Sequence, residues 1–201
     1  TMTVTDRPGL QSQTIYYTGF GKGDEVSDYT ISYATGTTEV KTTTYYYYGT
    51  VTGEDGLRAS SASLDTKMVM NAVRTPADIL KSRTYYHIDG RERGEEVSYY
   101  TYGYTLGGVD TTVYFYGTEP AAKLLASSEG VDAATTMTAS TTYKGELSLS
   151  VIEDPVAPLA FTTARTDRKS TTIYDIHLRE KGDEIADYSV SYYLGTADVK
   201  S

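Results

Sequence analysis

The chain has 201 residues, a net charge of −9 and no cysteine, and its aromatic content is 21 tyrosines against three phenylalanines and no tryptophan. That charge, with no basic run longer than Arg91-Glu92-Arg93, argues against binding to a phosphate backbone or an anionic membrane, and the missing thiols exclude disulfides, thiolate metal sites and thiol catalysis. No apolar run has the length needed to span a bilayer as a helix, and Thr1-Met2-Thr3-Val4 lacks the charged start and apolar centre of a signal peptide.

Short Thr/Tyr/Val runs separated by glycine predict an all-β protein with short helical inserts. The first strand is expected at Thr14–Thr18. Gly23-Asp24 makes a turn, since glycine is free to take positive φ. A second strand follows over Glu25–Tyr33, with Tyr29, Ile31 and Tyr33 on one face. After a turn at Gly36 a third strand runs Glu39–Tyr48, with Val40, Thr42, Thr44, Tyr46 and Tyr48 in phase. Tyr45 and Tyr47 then face one way and Tyr46 and Tyr48 the other. Two large rings on each side predict a strand covered on both faces, by a second sheet or by a neighbouring molecule. Tyrosine suits the latter, because its ring buries well while its hydroxyl can stay wet.

Further along, Leu64–Val73 fits a helix or a buried strand, with the helix slightly favoured. Thr75-Pro76-Ala77-Asp78 and Thr118–Ala126 carry helix-start signals. Glu146–Ile152 alternates and reads as a strand, and Asp154-Pro155 to Pro158 as a linker.

The sequence repeats. Lys22-Gly23-Asp24-Glu25-Val26 recurs as Lys181-Gly182-Asp183-Glu184-Ile185, Asp28-Tyr29 as Asp187-Tyr188, and Thr5-Asp6-Arg7 as Thr166-Asp167-Arg168. A weaker copy runs through Thr84-Tyr85-Tyr86, Gly94-Glu95-Glu96-Val97 and Tyr100 to Val113-Tyr114-Phe115-Tyr116-Gly117. Each copy reads as a three-strand antiparallel meander, and the whole as tandem β repeats, sandwich- or solenoid-like. The expected division is 1–75, 76–160 and 161–201. The last is the start of a third repeat, completed by the next repeat or by another molecule. An open hairpin edge invites pairing, and a heterologous contact that does not close gives a filament.

The pattern Tyr-Tyr, Lys-Gly-Asp-Glu-Val, Asp-Tyr, Gly-Thr, Tyr-Tyr-Tyr-Tyr-Gly resembles the Tyr- and Thr-rich tandem repeats of very large bacterial surface or secreted proteins. The resemblance covers most of 13–117 and 166–201 and implies an extracellular, structural or adhesive chain. A weaker likeness, through Tyr86-His87-Ile88-Asp89-Gly90-Arg91 and Tyr174-Asp175, is to YD-repeat shells. Neither carries functional residues over.

No catalytic, cofactor or metal site is expected. His87 and His177 have no third group at triad or zinc spacing. Asp24-Glu25, Glu95-Glu96 and Asp183-Glu184 recur at turns, where charge blunts a strand edge, and no calcium loop accompanies them. The residues expected to pack between copies are Tyr45, Tyr46, Tyr47, Tyr48, Tyr114, Phe115, Tyr116, Tyr29, Tyr33, Tyr188 and Tyr192. The function expected is a subunit of an extracellular filament or surface fibre whose partners are other copies of itself. The alternative is a carbohydrate-binding adhesin, its tyrosine strands stacking on glycans.

Overall fold

The computed structural model describes residues 9–119, 122–154, 165–177 and 179–200. The Thr5-Asp6-Arg7 match, Pro120-Ala121 and the linker residues 155–158 lie outside them. The chain divides into two compact units, Thr1–Gly94 and Glu95–Ser201. Both are built almost wholly of antiparallel strands, as the Thr/Tyr/Val runs predict.

The first unit contains β1 (Ser12–Tyr17), β2 (Val26–Tyr33), β3 (Val40–Gly49), the two-residue β4 (Leu57–Arg58), β5 (Lys67–Arg74) and β6 (Leu80–His87). The strands follow one another as a meander, β1-β2-β3-β5-β6, with β4 attached to β3. β2 pairs with the first part of β3, through Tyr29↔Tyr45, and β4 with its end, through Tyr47↔Arg58 and Tyr48↔Leu57. A single 3-10 turn, Ala59–Ser61, then places Ala59 in a small core with Val26 and Tyr48, packed round by Tyr17, Phe20, Tyr46, Ala62 and Met68.

The second unit contains β7 (Val97–Thr105), β8 (Gly108–Tyr116), β9 (Met137–Lys144), one helical turn α1 (Leu149–Ile152), β10 (Arg168–Asp175) and β11 (Ile185–Ser191). Its meander runs β7-β8-β9-β10-β11. Val97, Tyr99, Val113, Phe115, Tyr116, Ala139, Tyr143 and Ile152 are buried in it. The Tyr102 hydroxyl donates to the Leu147 carbonyl at 2.6 Å, and the Leu147 amide donates to Thr111 Oγ1 at 2.9 Å. The 145–152 segment is thereby tied to β7 and β8 by groups that burial would otherwise orphan.

Four expectations about single segments need correction, and a fifth concerns the repeat. Leu64–Val73 is not helical: β5 lies between β3 and β6 and buries Val69, Met70 and Ala72. Thr75–Asp78 starts no helix but turns the chain from β5 to β6. The Thr75 hydroxyl accepts from the Ile79 amide at 3.1 Å, and Asp78 takes φ +59°, which no right-handed helix contains. The bond that makes threonine a helix cap also makes it a turn former. The described part of Thr118–Ala126 forms no helix: the Ala122 amide closes a turn on the Glu119 carbonyl at 2.9 Å, and Leu124 is bridged to Tyr116 by two backbone bonds of 2.8 and 3.0 Å. Glu146–Ile152 is no strand: Leu149–Ile152 forms α1, because residues three apart can share a helix side as readily as alternate ones share a strand face.

With β5 and its counterpart β9 counted, the repeat is a four-strand meander rather than three. The β3–β5 register (Tyr47↔Met70, then Tyr48↔Met68) recurs in β8–β9 (Phe115↔Ala139, then Tyr116↔Met137). Each skips one residue of the partner strand, Val69 or Thr138, and both are fully buried. The β5–β6 irregularity, Val73↔Ser82 then Arg74↔Leu80, returns in β9–β10 as Thr142↔Ser170 then Tyr143↔Arg168. In β1–β2 the pairing steps from Ile15↔Tyr29 to Tyr16↔Ser27, passing Asp28. In β10–β11 it steps from Ile173↔Tyr188 to Tyr174↔Ala186, passing Asp187. A bulge fixes where a strand bends and which way its side chains point, so shared bulges mean shared geometry.

Candidate assembly surface

The tyrosines of β3 alternate as predicted, and each ring has company inside its own unit. Tyr45 lies 6.0 Å from Tyr29, and the Arg58 guanidinium sits over it at 4.6 Å and over Tyr47 at 5.9 Å. On the other face Tyr46 and Tyr48 join the Val26–Ala59 core. The Tyr46 hydroxyl shares a hydrogen bond with Thr30 Oγ1 at 3.0 Å, and the Tyr48 hydroxyl donates to the Ser27 carbonyl at 2.7 Å. In the second unit the Tyr114 hydroxyl shares a bond with Thr101 Oγ1 at 2.9 Å and Tyr116 donates to the Ser98 carbonyl at 2.5 Å. Thus the tyrosine that ends each central strand fastens to a backbone carbonyl near the start of the strand before it. Burial raises the pKa of Tyr114 and takes that of Tyr143 to about 12.

Arg58 joins two of these features. Its Nη2 lies 2.5 Å from Asp28 Oδ1, at the bulge of β2, while its plane covers the β3 rings. Tyr99 stands in the second unit where Asp28 stands in the first. Its hydroxyl shares a bond with Ser127 Oγ at 2.8 Å and donates to Glu153 Oε1 at 2.6 Å. An ion pair at this position of the first unit is thus replaced by hydrogen bonds in the second.

β11 is the counterpart of β2, and the turn after it is reproduced bond for bond. Tyr193 N donates to Asp198 O as Ala34 N does to Glu39 O, and Thr196 N to Tyr193 O as Thr37 N to Ala34 O. Val199 bridges Tyr192, in the register of Val40 against Tyr33. Beyond that bridge the outer edge of β11 carries no partner strand among the described residues. Ile185 and Tyr188 are each 55% exposed, whereas Val26 and Val97 in the place of Ile185 are 6% and 0% exposed and Tyr100 in the place of Tyr188 is 3%. Of the residues expected to pack between copies, Tyr48, Phe115, Tyr116 and Tyr33 are buried in their own units, Tyr29, Tyr45, Tyr46, Tyr47, Tyr114 and Tyr192 are half-buried, and Tyr188 is open. Tyr192 lies under the Arg168 guanidinium at 3.7 Å.

The recurrent acidic turns have a structural task. The Gly23 amide donates to Glu25 Oε2 at 2.9 Å and the Gly182 amide to Glu184 Oε2 at 2.7 Å, so each carboxylate closes its own turn. Glu184 Oε1 also accepts from the Met137 amide at 2.9 Å. Among the described residues no three His, Asp or Glu side chains converge as metal ligands. His87 is buried beside Arg91, whose Nε donates to His87 Nδ1 at 3.3 Å, and His177 is exposed.

Comparison of the chain with known protein families, with curated proteins and with solved structures gives no match. Fold and recurrent registers together define an internally repetitive antiparallel β protein. Sequence reasoning missed Arg58 because its partners, Asp28 and the β3 rings, come together only through the β4 pairing. A lone arginine after Asp55-Gly56 gives no signal of that.

Proposed function

We propose that this chain is a structural subunit of an extracellular filament or surface fibre, joined to other copies by strand pairing and tyrosine packing. The observation that carries this reading is the repetition itself: pairings and bulges recur between the units, and the third copy begins in the register of the first. A meander of this kind can be lengthened by adding strands without changing those already laid down. Covering rings like Tyr188 supplies on the order of 2 kcal/mol each, enough for a few per junction to offset the cost of association. The extracellular setting follows from the resemblance to bacterial surface repeats.

Light scattering and negative-stain electron microscopy of the purified chain across a concentration series test this. Mass that grows with concentration, with linear particles, is the expected result; a monomer at every concentration overturns it.

A second reading, glycan binding, is favoured by one observation. The half-buried Tyr46 and Tyr114 rings are held by their hydroxyls on Thr30 and Thr101, which fixes ring orientation in advance. Saturable binding of a soluble oligosaccharide by a monomer, lost in Tyr46→Ala, is its test.

A further inference from the structure

We propose that the outward sheet face of each unit binds one kind of ligand: a neutral, extended β-1,4-linked glycan chain lying across the strands, its sugars stacked on two tyrosines. The proposal rests on the glycan reading and not on assembly, and it names the class of glycan and the second ring.

Four tyrosines repeat one arrangement. The Tyr46 hydroxyl meets Thr30 Oγ1 at 3.0 Å, that of Tyr114 meets Thr101 Oγ1 at 2.9 Å and that of Tyr174 meets Ser140 Oγ at 3.2 Å. The Tyr86 hydroxyl accepts from Asn71 Nδ2 at 2.6 Å. Each partner lies on the preceding strand, opposite the residue two positions before the tyrosine: Thr30↔Thr44, Asn71↔Thr84, Thr101↔Thr112 and Ser140↔Thr172. A ring tied in this way to two neighbouring strands lies along the sheet and does not stand off it. Met70 and Ala72, which flank Asn71, and Val113 and Phe115, which flank Tyr114, are buried on the opposite side. The four half-buried rings therefore belong to the outward face.

The rings come in pairs, one in each unit. Tyr46 lies opposite Asn71, Asn71 opposite Thr84, and Tyr86 is two residues beyond. Tyr114, Ser140, Thr172 and Tyr174 repeat this. The second ring is thus two strands across and two residues along, on the order of 12 Å from the first. An extended β-1,4-linked chain turns the same side of every second sugar toward one surface at a comparable interval. Between the rings the face offers Thr44, Asn71 and Thr84 in the first unit and Thr112, Ser140 and Thr172 in the second. None is charged, on a chain of net charge −9. Such a face matches a neutral ligand that presents hydroxyls, whereas an ionic one would lose water there and find no counter-charge. Rings already held in place lose little freedom when a sugar stacks on them.

Isothermal titration calorimetry of the whole protein with cellohexaose, chitohexaose, maltohexaose, cellobiose and chitobiose tests this. Saturable binding of a β-1,4-linked hexaose is expected. It should be about tenfold or more tighter than that of its own disaccharide, which reaches only one ring, and than that of maltohexaose, whose α-1,4 links curl the chain. The cello and chito arms decide whether the 2-acetamido group is read. Ser140→Arg blocks the face of the second unit. In that background Tyr86→Ala should bring the hexaose down to roughly the affinity of the disaccharide, and Tyr86→Phe, which keeps the ring and loses its tether, should cost only about threefold. A disaccharide that binds as tightly as its hexaose, a preference for maltohexaose, or indifference to Tyr86→Ala overturns the proposal. Binding that still depends on Tyr46 in any of those cases leaves the glycan reading standing. No binding of any of these sugars removes both.

Discussion

The Tyr48 hydroxyl donates to the Ser27 carbonyl across 2.7 Å, joining the end of β3 to the start of β2. The same bond links Tyr116 and Ser98 at 2.5 Å. In both cases a ring that fills a core ends in a group that satisfies a backbone acceptor, which phenylalanine cannot do. Tyr48→Phe and Tyr116→Phe should each lower stability by about 1–2 kcal/mol in urea titration, with the m-value unchanged. Loss of less than a few tenths in both would mean that the ring alone holds the strand.

Tyr143 gives the fold an alkaline limb. Its pKa is held at about 12 chiefly by burial, against a value near 10 in the unfolded chain. The folded state therefore keeps a proton that the unfolded state releases. The contribution is fully present below pH of about 10 and is lost as pH rises through about 12, by on the order of 2 kcal/mol. Unfolding free energy measured across that range should fall with pH, and Tyr143→Phe should flatten the fall. An unchanged slope in the variant would assign it elsewhere.

Two glycines with positive φ separate backbone strain from crowding. At Gly23, φ +98°, a Cβ would meet nothing, whereas at Gly56, φ +65°, it would lie 2.5 Å from Val69 Cγ2 and 2.9 Å from the Tyr48 carbonyl. Gly23→Ala should cost about 1 kcal/mol for the backbone alone. Gly56→Ala should cost roughly 2–4 kcal/mol, because it adds a clash with a closely packed strand to that strain. Equal thermal shifts for the two would show that β3 and β5 yield at this point.

Arg58 is bound to Asp28 and to two rings at once. Its side chain and that of Asp28 are about one-third and one-quarter exposed, so the ion pair on its own is screened. A double-mutant cycle with Arg58→Met and Asp28→Asn should give a coupling of about 0.5–1.5 kcal/mol that shrinks in high salt. The part of the Arg58→Met loss that persists in salt reports stacking on Tyr45 and Tyr47.

Fold class, the β1, β2 and β3 runs and the repeat were legible in the sequence, because strand alternation and turn glycines are local signals. Leu64–Val73 was not. Met68, Val69, Met70 and Val73 are apolar at both spacings, and β5 is decided by the open edge of β3 beside it, which no local window contains. The helix start at Thr75 failed for a related reason: its hydroxyl accepts a backbone amide, but that of Ile79 four residues on in a hairpin, where a cap would take one two or three residues on. At the candidate site the tyrosines could be named from the sequence, but their burial could not. Tyr29 and Tyr188 occupy matching places in two similar hairpins, one half-buried and the other open, and the difference lies in the strand beyond.

Within each unit the main sheet path joins only strands that are consecutive along it, with β4 a side branch on β3. Few long loops must close before contacts form, so such a chain folds quickly for its β content. Each strand can settle on its predecessor as it emerges from a ribosome, and none need wait for the far end of the polypeptide. A long array of such units would then be made in the order in which it is translated, with only its newest strand unprotected at any moment.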